Sequence, residues 1–301
     1  MVSAKAWALL GLLSFIWGAS FLFIELALLA MGPVTLVFFR VLVGGLTLAI
    51  ILMMRLRRLP KSFSFWFGVF VMGFLNNVLP FTLISYGQIS ITGGMASIIN
   101  ANTAFFGVIA AAIFIADERL NWHRFLGVLI GICGVIAVVG PAELRSLNPS
   151  SLGQLAVVVA TLFYALASVW GKLRLAQFRS DEIACGTLLC ATIIMIPFML
   201  VIEGVPSITI SWSLIGVFTG LGVIGTGFAY LLYFQILALA GASHLMLVTI
   251  IVPVFAVVLD ALFLQQFISL SDIVGFVIIA VGLMLLDGRI LKKIRSKPIT
   301  G

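Results

Sequence analysis

Apolar runs about as long as a bilayer is thick recur down this whole chain and leave it little choice of fold. A helix needs about 20 residues to cross the hydrocarbon core, and the runs of this 301-residue sequence are close to that length. Hydrophobic residues make up 63% of the chain and charged residues 9%, where a soluble domain carries about 25% charged. A transmembrane barrel would alternate apolar and polar residues over about ten positions, which these runs do not do. The expected fold class is therefore all-α and integral to a membrane. Ten transmembrane helices are read, at 6–29, 34–54, 63–84, 94–115, 124–139, 153–172, 182–202, 212–237, 242–263 and 273–286. The run after Lys5 is too long for a signal peptide, and no small-residue cleavage site follows it.

Basic residues orient these spans, because Lys and Arg concentrate on the cytoplasmic side. With the N-terminus inside, the inner connections hold Lys5; Arg55, Arg57, Arg58 and Lys61; Arg119 and Arg124; and Lys172, Arg174 and Arg179. Arg289, Lys292, Lys293, Arg295 and Lys297 complete the inner set at the C-terminus. Of the 17 Lys and Arg, only Arg145 falls outside, and Arg40 lies within span 2. Both termini are expected in the cytoplasm and the chain in the cell's inner (plasma) membrane. The net charge of +7 then reflects topology, and no nucleic-acid partner is expected.

The chain also echoes itself. Gly73, Phe81, Tyr86, Gln88 and Gly94 recur as Gly220, Phe228, Tyr233, Gln235 and Gly241 at a spacing of 147, and Gly127 and Gly134 recur as Gly275 and Gly282 at 148. Ten spans divide into five and five, and an odd number per half forces the second half to enter the membrane upside down. Two inverted five-helix repeats are expected, 1–141 and 150–290, followed by a basic cytoplasmic tail, 291–301. Such an architecture places substrate near the bilayer midplane, where both halves carry irregular helices. Pro80 and Pro253 are the expected weak points.

An unpartnered amide in hydrocarbon is costly, so amides inside spans point either to a polar cavity or to helix packing. Asn100 and Thr103 share one face of span 4, and Asn77 and Phe81 share one face of span 3, with Asn76 and Pro80 beside them. Trp17 and Tyr164 lie at mid-depth in spans 1 and 6, 147 residues apart, where two amphipathic rings suit either a solute or ordinary packing. Tyr86 falls near the outer end of span 3, and Tyr230 and Tyr233 toward the inner end of span 8. The expected substrate-binding set is Trp17, Asn77, Phe81, Tyr86, Asn100, Thr103, Tyr164 and Tyr230. Glu25 and Arg40 fall at similar depth in the outer halves of spans 1 and 2, and a mutual ion pair or gate is the simplest account of both. His244 opens span 9 at the inner surface and Asp260 nears its outer end; either is a solvated terminal group or a coupling group. Cys133, Cys185 and Cys190 lie in apolar runs without a CxxC or Cys/His cluster, so neither a metal nor a cofactor is expected. Gly127, Gly131 and Gly134 form a small-residue seam mirrored by Gly275 and Gly282, for packing within a monomer or for a homodimer.

Amides and rings without a buried cluster of fixed charge suit an amphoteric or aromatic small molecule. Arg40 is expected to lie too far outward to serve such a site. An intramembrane enzyme would need a nucleophile with a base, paired carboxylates or metal ligands at matched depth, and the sequence offers none of these. No connection resembles a channel selectivity filter.

Trp17-Gly18, Arg40 within FFRVLVGG, Asn77, Pro80-Phe81, Gly87-Gln88, the run Gly94 to Ala101, and Asp117-Glu118-Arg119-Leu120 resemble the EamA family of the drug/metabolite transporter superfamily. The resemblance covers the whole chain as two repeats. It implies ten spans in inverted repeats, a central cavity lined by spans 1, 3, 4, 6, 8 and 9, and transport of a small molecule across the bilayer. Within the family the chain is similar to bacterial exporters of amino acids, aromatic ones included; a multidrug or organic-cation efflux carrier of the same superfamily is the alternative. Export rather than uptake is implied by the resemblance alone. Family members often carry a proline where Ala104 or Phe105 stands here, whereas the second repeat keeps Pro253, so a kink in span 4 is left open.

Overall fold

A computed structural model describes residues 3–116, 122–139, 149–206, 211–245, 247–266 and 269–287. Every regular element among them is helical. Seven helices are long and apolar enough to cross a membrane. They are α1 (Ala4–Leu28), α2 (Pro33–Met54), α3 (Phe63–Gly87), α4 (Gly93–Phe114), α6 (apolar over Leu152–Leu175), α7 (Ser180–Ile202) and α8 (Trp212–Ala240). Three further apolar helices accompany them: α5 (Trp122–Val139), α9 (Val248–Phe263) and α10 (Leu270–Asp287). Large apolar side chains such as Phe63, Val201, Trp212 and Leu262 are exposed on the outside of the bundle, as a lipid-facing wall requires.

The helix ends follow local chemistry. Ser3, Ser62, Thr92 and Ser211 accept a backbone N–H from the first turns of α1, α3, α4 and α8. Pro33 and Pro149 open α2 and α6, where the missing N–H costs nothing. Gly241, at φ 77°, ends α8 in a conformation that other residues rarely adopt. The basic C-terminal tail and the connection at 140–148, with Arg145, lie outside the described residues.

Neighbours follow a regular scheme. α5 runs along α10 and α2 along α7, while α4 meets α9. α1 packs on α9 and α8, just as α6 packs on α4 and α3; α2 touches α8, just as α7 touches α3. Water supplies no hydrophobic drive inside a bilayer, so helices associate by close backbone approach at small residues. A Cβ on Gly282 would lie 2.8 Å from the Gly127 carbonyl oxygen and 2.9 Å from the Gly131 nitrogen. One on Gly134 would lie 2.9 Å from the Ile279 nitrogen and 3.1 Å from the Gly275 carbonyl oxygen. The small-residue seam therefore closes α5 against α10 within the chain, and the two run antiparallel.

α2 and α7 are also antiparallel, and they are fastened at both ends. At one end the Glu203 carboxylate accepts the Val34 and Thr35 N–H groups at 2.9 and 2.8 Å, capping the start of α2. At the other, Asp181 in the first turn of α7 pairs with Arg57 just beyond α2 and with Arg179 at 3.4 Å. Arg55, Arg57 and Arg179 thus gather at one end of the bundle, as their expected common side requires.

α4 is interrupted. Its first segment ends at Asn100 and the second begins at Thr103. The Asn102 amide donates to the Ile99 carbonyl at 2.6 Å and the Thr103 hydroxyl to the Asn100 carbonyl at 2.8 Å. Polar side chains that take up carbonyls in this way loosen the helix. Where the proline is missing, α4 is interrupted all the same, and Asn102 and Thr103 hold carbonyls at the interruption.

Candidate functional site

The walls of the candidate site are set by two widened turns. α3 passes through a π turn at Phe74–Val78, and α8 through a longer one at Thr219–Phe228. They stand at equivalent places in the two halves. In α3 the cause is Pro80, whose ring displaces the carbonyl four residues back; the Leu79 N–H reaches five residues back to Phe74. In α8 the cause is Gly220, Gly222, Gly225 and Gly227, which leave the turn without Cβ atoms to resist widening. Such turns occur often at functional sites. Here they carry Asn76, Asn77 and Thr226.

The Asn76 side-chain amide donates to the Tyr230 hydroxyl at 3.0 Å, and that of Asn77 reaches the same oxygen at 3.5 Å. Asn77 is completely buried, and its carbonyl oxygen has no partner among the described residues. Arg40 reaches this region from α2 and is 7% exposed. Its Nε–H donates to the Thr226 hydroxyl at 3.2 Å, and its guanidinium lies over the Phe81 ring, 3.9 Å from the centroid. The phenols of Tyr164 and Tyr230 are within its electrostatic reach. Gly44, one turn on from Arg40, lets α8 come this close; a Cβ there would lie 2.8 Å from the Thr226 methyl.

This arrangement corrects the expected Glu25–Arg40 ion pair. Glu25 accepts the Gly93 N–H at 3.3 Å and the Gln266 side-chain amide, while Arg40 has no carboxylate partner among the described residues. Equal depth in the sequence put the two beside each other, but α1 turns Glu25 toward α4 and α2 turns Arg40 toward α3 and α8. Arg40 is also not peripheral, as its position along α2 alone would have it.

A second polar region lies at the opposite end of the bundle from Asp181. Asp260 is buried and accepts the Gly94 N–H, so Asp260 and Glu25 together hold the start of α4. The Gln88 amide donates to the Phe21 carbonyl at 3.0 Å. The described residues leave an open cleft of about 390 Å³ here, lined by Glu25, Gln88, Thr92, Met95, Ser150 and Gln266 among others. A smaller space of about 20 Å³, room for about one water, adjoins it at Asp260, Gln266 and Asp272. A merely interfacial Asp260 is thus corrected to a buried helix cap.

The other expected residues divide. Phe81 lies beneath Arg40, Asn77 shares the Tyr230 hydroxyl with Asn76, and Tyr164 is half-buried against the core. Trp17 is half-buried and faces Tyr233, ring centroids 6.0 Å apart, which places it on the α8 side of the same region. Asn100 and Thr103 sit at the break in α4, with no hydrogen bond to the Tyr230 cluster among the described residues; the Asn100 side-chain oxygen, Oδ1, is buried without a partner among the described residues. Tyr86 is 41% exposed at the end of α3 and stands apart from the cluster. His244 is fully buried rather than solvated, with the Trp7 ring edge-on at 4.5 Å. Its short helix Ala242–Leu245 turns it beneath α1 instead of outward. Cys185 and Cys190 are buried, Cys133 is exposed, and all three are free. Among the described residues no group of His, Cys, Asp or Glu is placed to hold a metal. Sequence reasoning missed Thr226 and Gln266. A threonine amid the glycines of α8 was the available signal for the first, and nothing marked the second.

Known proteins share this plan. The chain is 24% identical over 280 residues to the uncharacterized transporter YoaV of Bacillus subtilis, covering 92% of this chain and 95% of that protein. It is 24% identical to the protein PecM of Dickeya dadantii, covering 94% of this chain and 92% of the relative. A probable terminal-alkyne amino-acid exporter of Streptantibioticus cattleyicolor is 25% identical over 220 residues, 73% of this chain and 72% of that protein. One solved crystal structure superposes with a TM-score of 0.67 at 18% identity, covering 96% of this chain and 99% of that one, a likeness of fold. The model of the EamA-like transporter family matches twice, at residues 5–140 and 151–286. The chain is a multi-pass membrane protein and belongs to the EamA-like transporter family.

Proposed function

We infer that this transporter exports amino acids or related small metabolites by alternating access, through ten spans built as two inverted five-helix repeats. The observation that carries the reading is a polar and aromatic site drawn from both halves: Arg40, Asn76, Asn77 and Phe81 from the first, Tyr164, Thr226 and Tyr230 from the second. The repeat reading is supported by the two family matches, by π turns at equivalent positions, and by helix neighbours that map onto themselves when α1–α5 exchange with α6–α10. Inversion is supported by α2 against α7 and α5 against α10, each antiparallel to its counterpart. The relatives' names support transport, and one relative's name supports amino-acid export. We read the chain as a carrier and not an enzyme, in the plasma membrane.

Counterflow in proteoliposomes tests this. The expected result is exchange of labelled for unlabelled amino acid, with aromatic ones in the panel. Exchange of organic cations but of none of the twenty amino acids would replace this reading with that of a cation efflux carrier, which the rings of Trp17, Tyr164, Tyr230 and Tyr233 would also suit.

Topology is tested separately. With both termini cytoplasmic, a cysteine at Ser146 is expected to react with an impermeant reagent added outside, and one at Ser62 to be protected. The reverse labelling would overturn the orientation.

A further inference from the structure

Among the described residues, Arg40 is a buried guanidinium without a counter-charge. Holding an unpaired ion in an apolar interior is strongly unfavourable, and the nearest acid by sequence depth, Glu25, is committed to Gly93 and Gln266. Arg40 is moreover held in a particular way. Thr226, itself tied to the Leu221 carbonyl at 2.8 Å, receives Nε–H, and Phe81 covers one face. One edge and one face are used, and no hydrogen bond among the described residues takes up the terminal fork. A planar guanidinium fork matches a carboxylate with two parallel hydrogen bonds. About one turn before Phe81 on α3, and tied to the Tyr230 hydroxyl, Asn77 carries a buried carbonyl oxygen without a partner among the described residues. That oxygen can accept only a donor, such as an ammonium N–H.

We propose that Arg40 is the anchor for the carboxylate of the transported solute and that the Asn77 carbonyl receives its amino group, so that the site selects α-amino acids over organic cations. The inference rests on reading the chain as an amino-acid carrier, and it deepens that reading by naming what recognises the acid. An approaching cation meets a fixed positive charge in a low-dielectric wall, which repels it strongly. An α-amino acid instead supplies the missing anion at one end and the missing donor at the other. Tyr164, Phe81 and the Trp17–Tyr233 pair supply apolar surface for a side chain.

The test is binding to the purified protein, by calorimetry, of L-phenylalanine, L-leucine, their amides, 3-phenylpropionate and phenethylamine. The wild type is expected to bind the two amino acids and, more weakly, 3-phenylpropionate, and to bind the amides and phenethylamine about tenfold less tightly or worse than the amino acids. Arg40→Met is expected to lose about tenfold or more in affinity for both amino acids, with Arg40→Lys intermediate. Asn77→Leu is expected to erase the preference for phenylalanine over 3-phenylpropionate. If the wild type binds the amides and phenethylamine as well as the acids, the anchor is wrong while a carrier of amines survives; this comparison requires no variant to fold. If the acids are preferred but a monodisperse Arg40→Met keeps that preference, another group holds the carboxylate. If none of the compounds binds, the amino-acid reading falls and the anchor with it.

Discussion

Gly18→Leu is expected to remove most of the folded protein, at a cost of about 3 kcal/mol, the upper end of ordinary overpacking. α1 and α9 touch backbone to backbone at this point. A Cβ on Gly18 would lie 2.6 Å from the Phe255 Cβ, 3.0 Å from the Val252 carbonyl oxygen and 3.1 Å from the Ala256 nitrogen. Two of these obstacles are main chain and cannot rotate away, so the helices must separate. Separation also drags on Trp17, whose ring faces Tyr233. Gly11, on the same helix, has nothing within 4 Å of its ideal Cβ, and Gly11→Leu is the matched control. Size-exclusion profiles of detergent extracts after graded heating measure both. Equal folded yields for the two variants would show that the α1–α9 contact is not as close as described.

Tyr230→Phe has the next largest expected effect, and on activity rather than folding. It deletes one oxygen, the acceptor for Asn76 at 3.0 Å and for Asn77 at 3.5 Å. Leaving a buried donor unsatisfied costs about 1–3 kcal/mol. The π turn of α3 has no other tie of this kind to α8 among the described hydrogen bonds, so its two amides are expected to turn away from the site. Transport is expected to fall about tenfold or more with little loss of folded protein, since the ring stays stacked on Phe234. Tyr233→Phe keeps its ring against Trp17 and is expected to stay within about twofold of wild type. Initial rates of counterflow, scaled to reconstituted protein, decide it. Undiminished transport by Tyr230→Phe would separate the asparagine cluster from the substrate path.

Depth along a helix was legible in the sequence, and direction around it much less so. Hydropathy located the apolar helices, and Pro80 marked the place where α3 widens; Pro253, the other expected weak point, lies inside an uninterrupted α9, and the widened turn of the second half falls among the glycines of α8 instead. Asn77, Tyr164 and Tyr230 stood out in the sequence because a hydrogen-bonding group in an apolar run is conspicuous wherever it points, and Phe81 only by sharing a helix face with Asn77. The pairing of Glu25 with Arg40 failed because equal depth does not make neighbours; a rotation about two helix axes sends one to α4 and the other to α8. His244 failed in the same manner, since the turn between α8 and α9 folds it under α1. A widened turn shifts the faces of everything beyond it, so a helical wheel drawn at 3.6 residues per turn misplaces side chains after Phe74 and Thr219.

The two fastenings of α2 to α7 bear on leakage. Each joins opposite halves of the chain, Glu203 to Val34 and Thr35 at one membrane face, Asp181 to Arg57 at the other. A carrier that opens to one side can give up one fastening while keeping the other. Under the proposed alternating access, a path open to both faces would undo both fastenings, at the summed cost of two sets of bonds, the Arg57–Asp181 set being weakened by solvent because Arg57 is 34% exposed. By Boltzmann weighting the pore-like state is then rarer than either open state by the factor that one fastening supplies. Tightness against ions would thus come from antiparallel symmetry itself, without a dedicated plug.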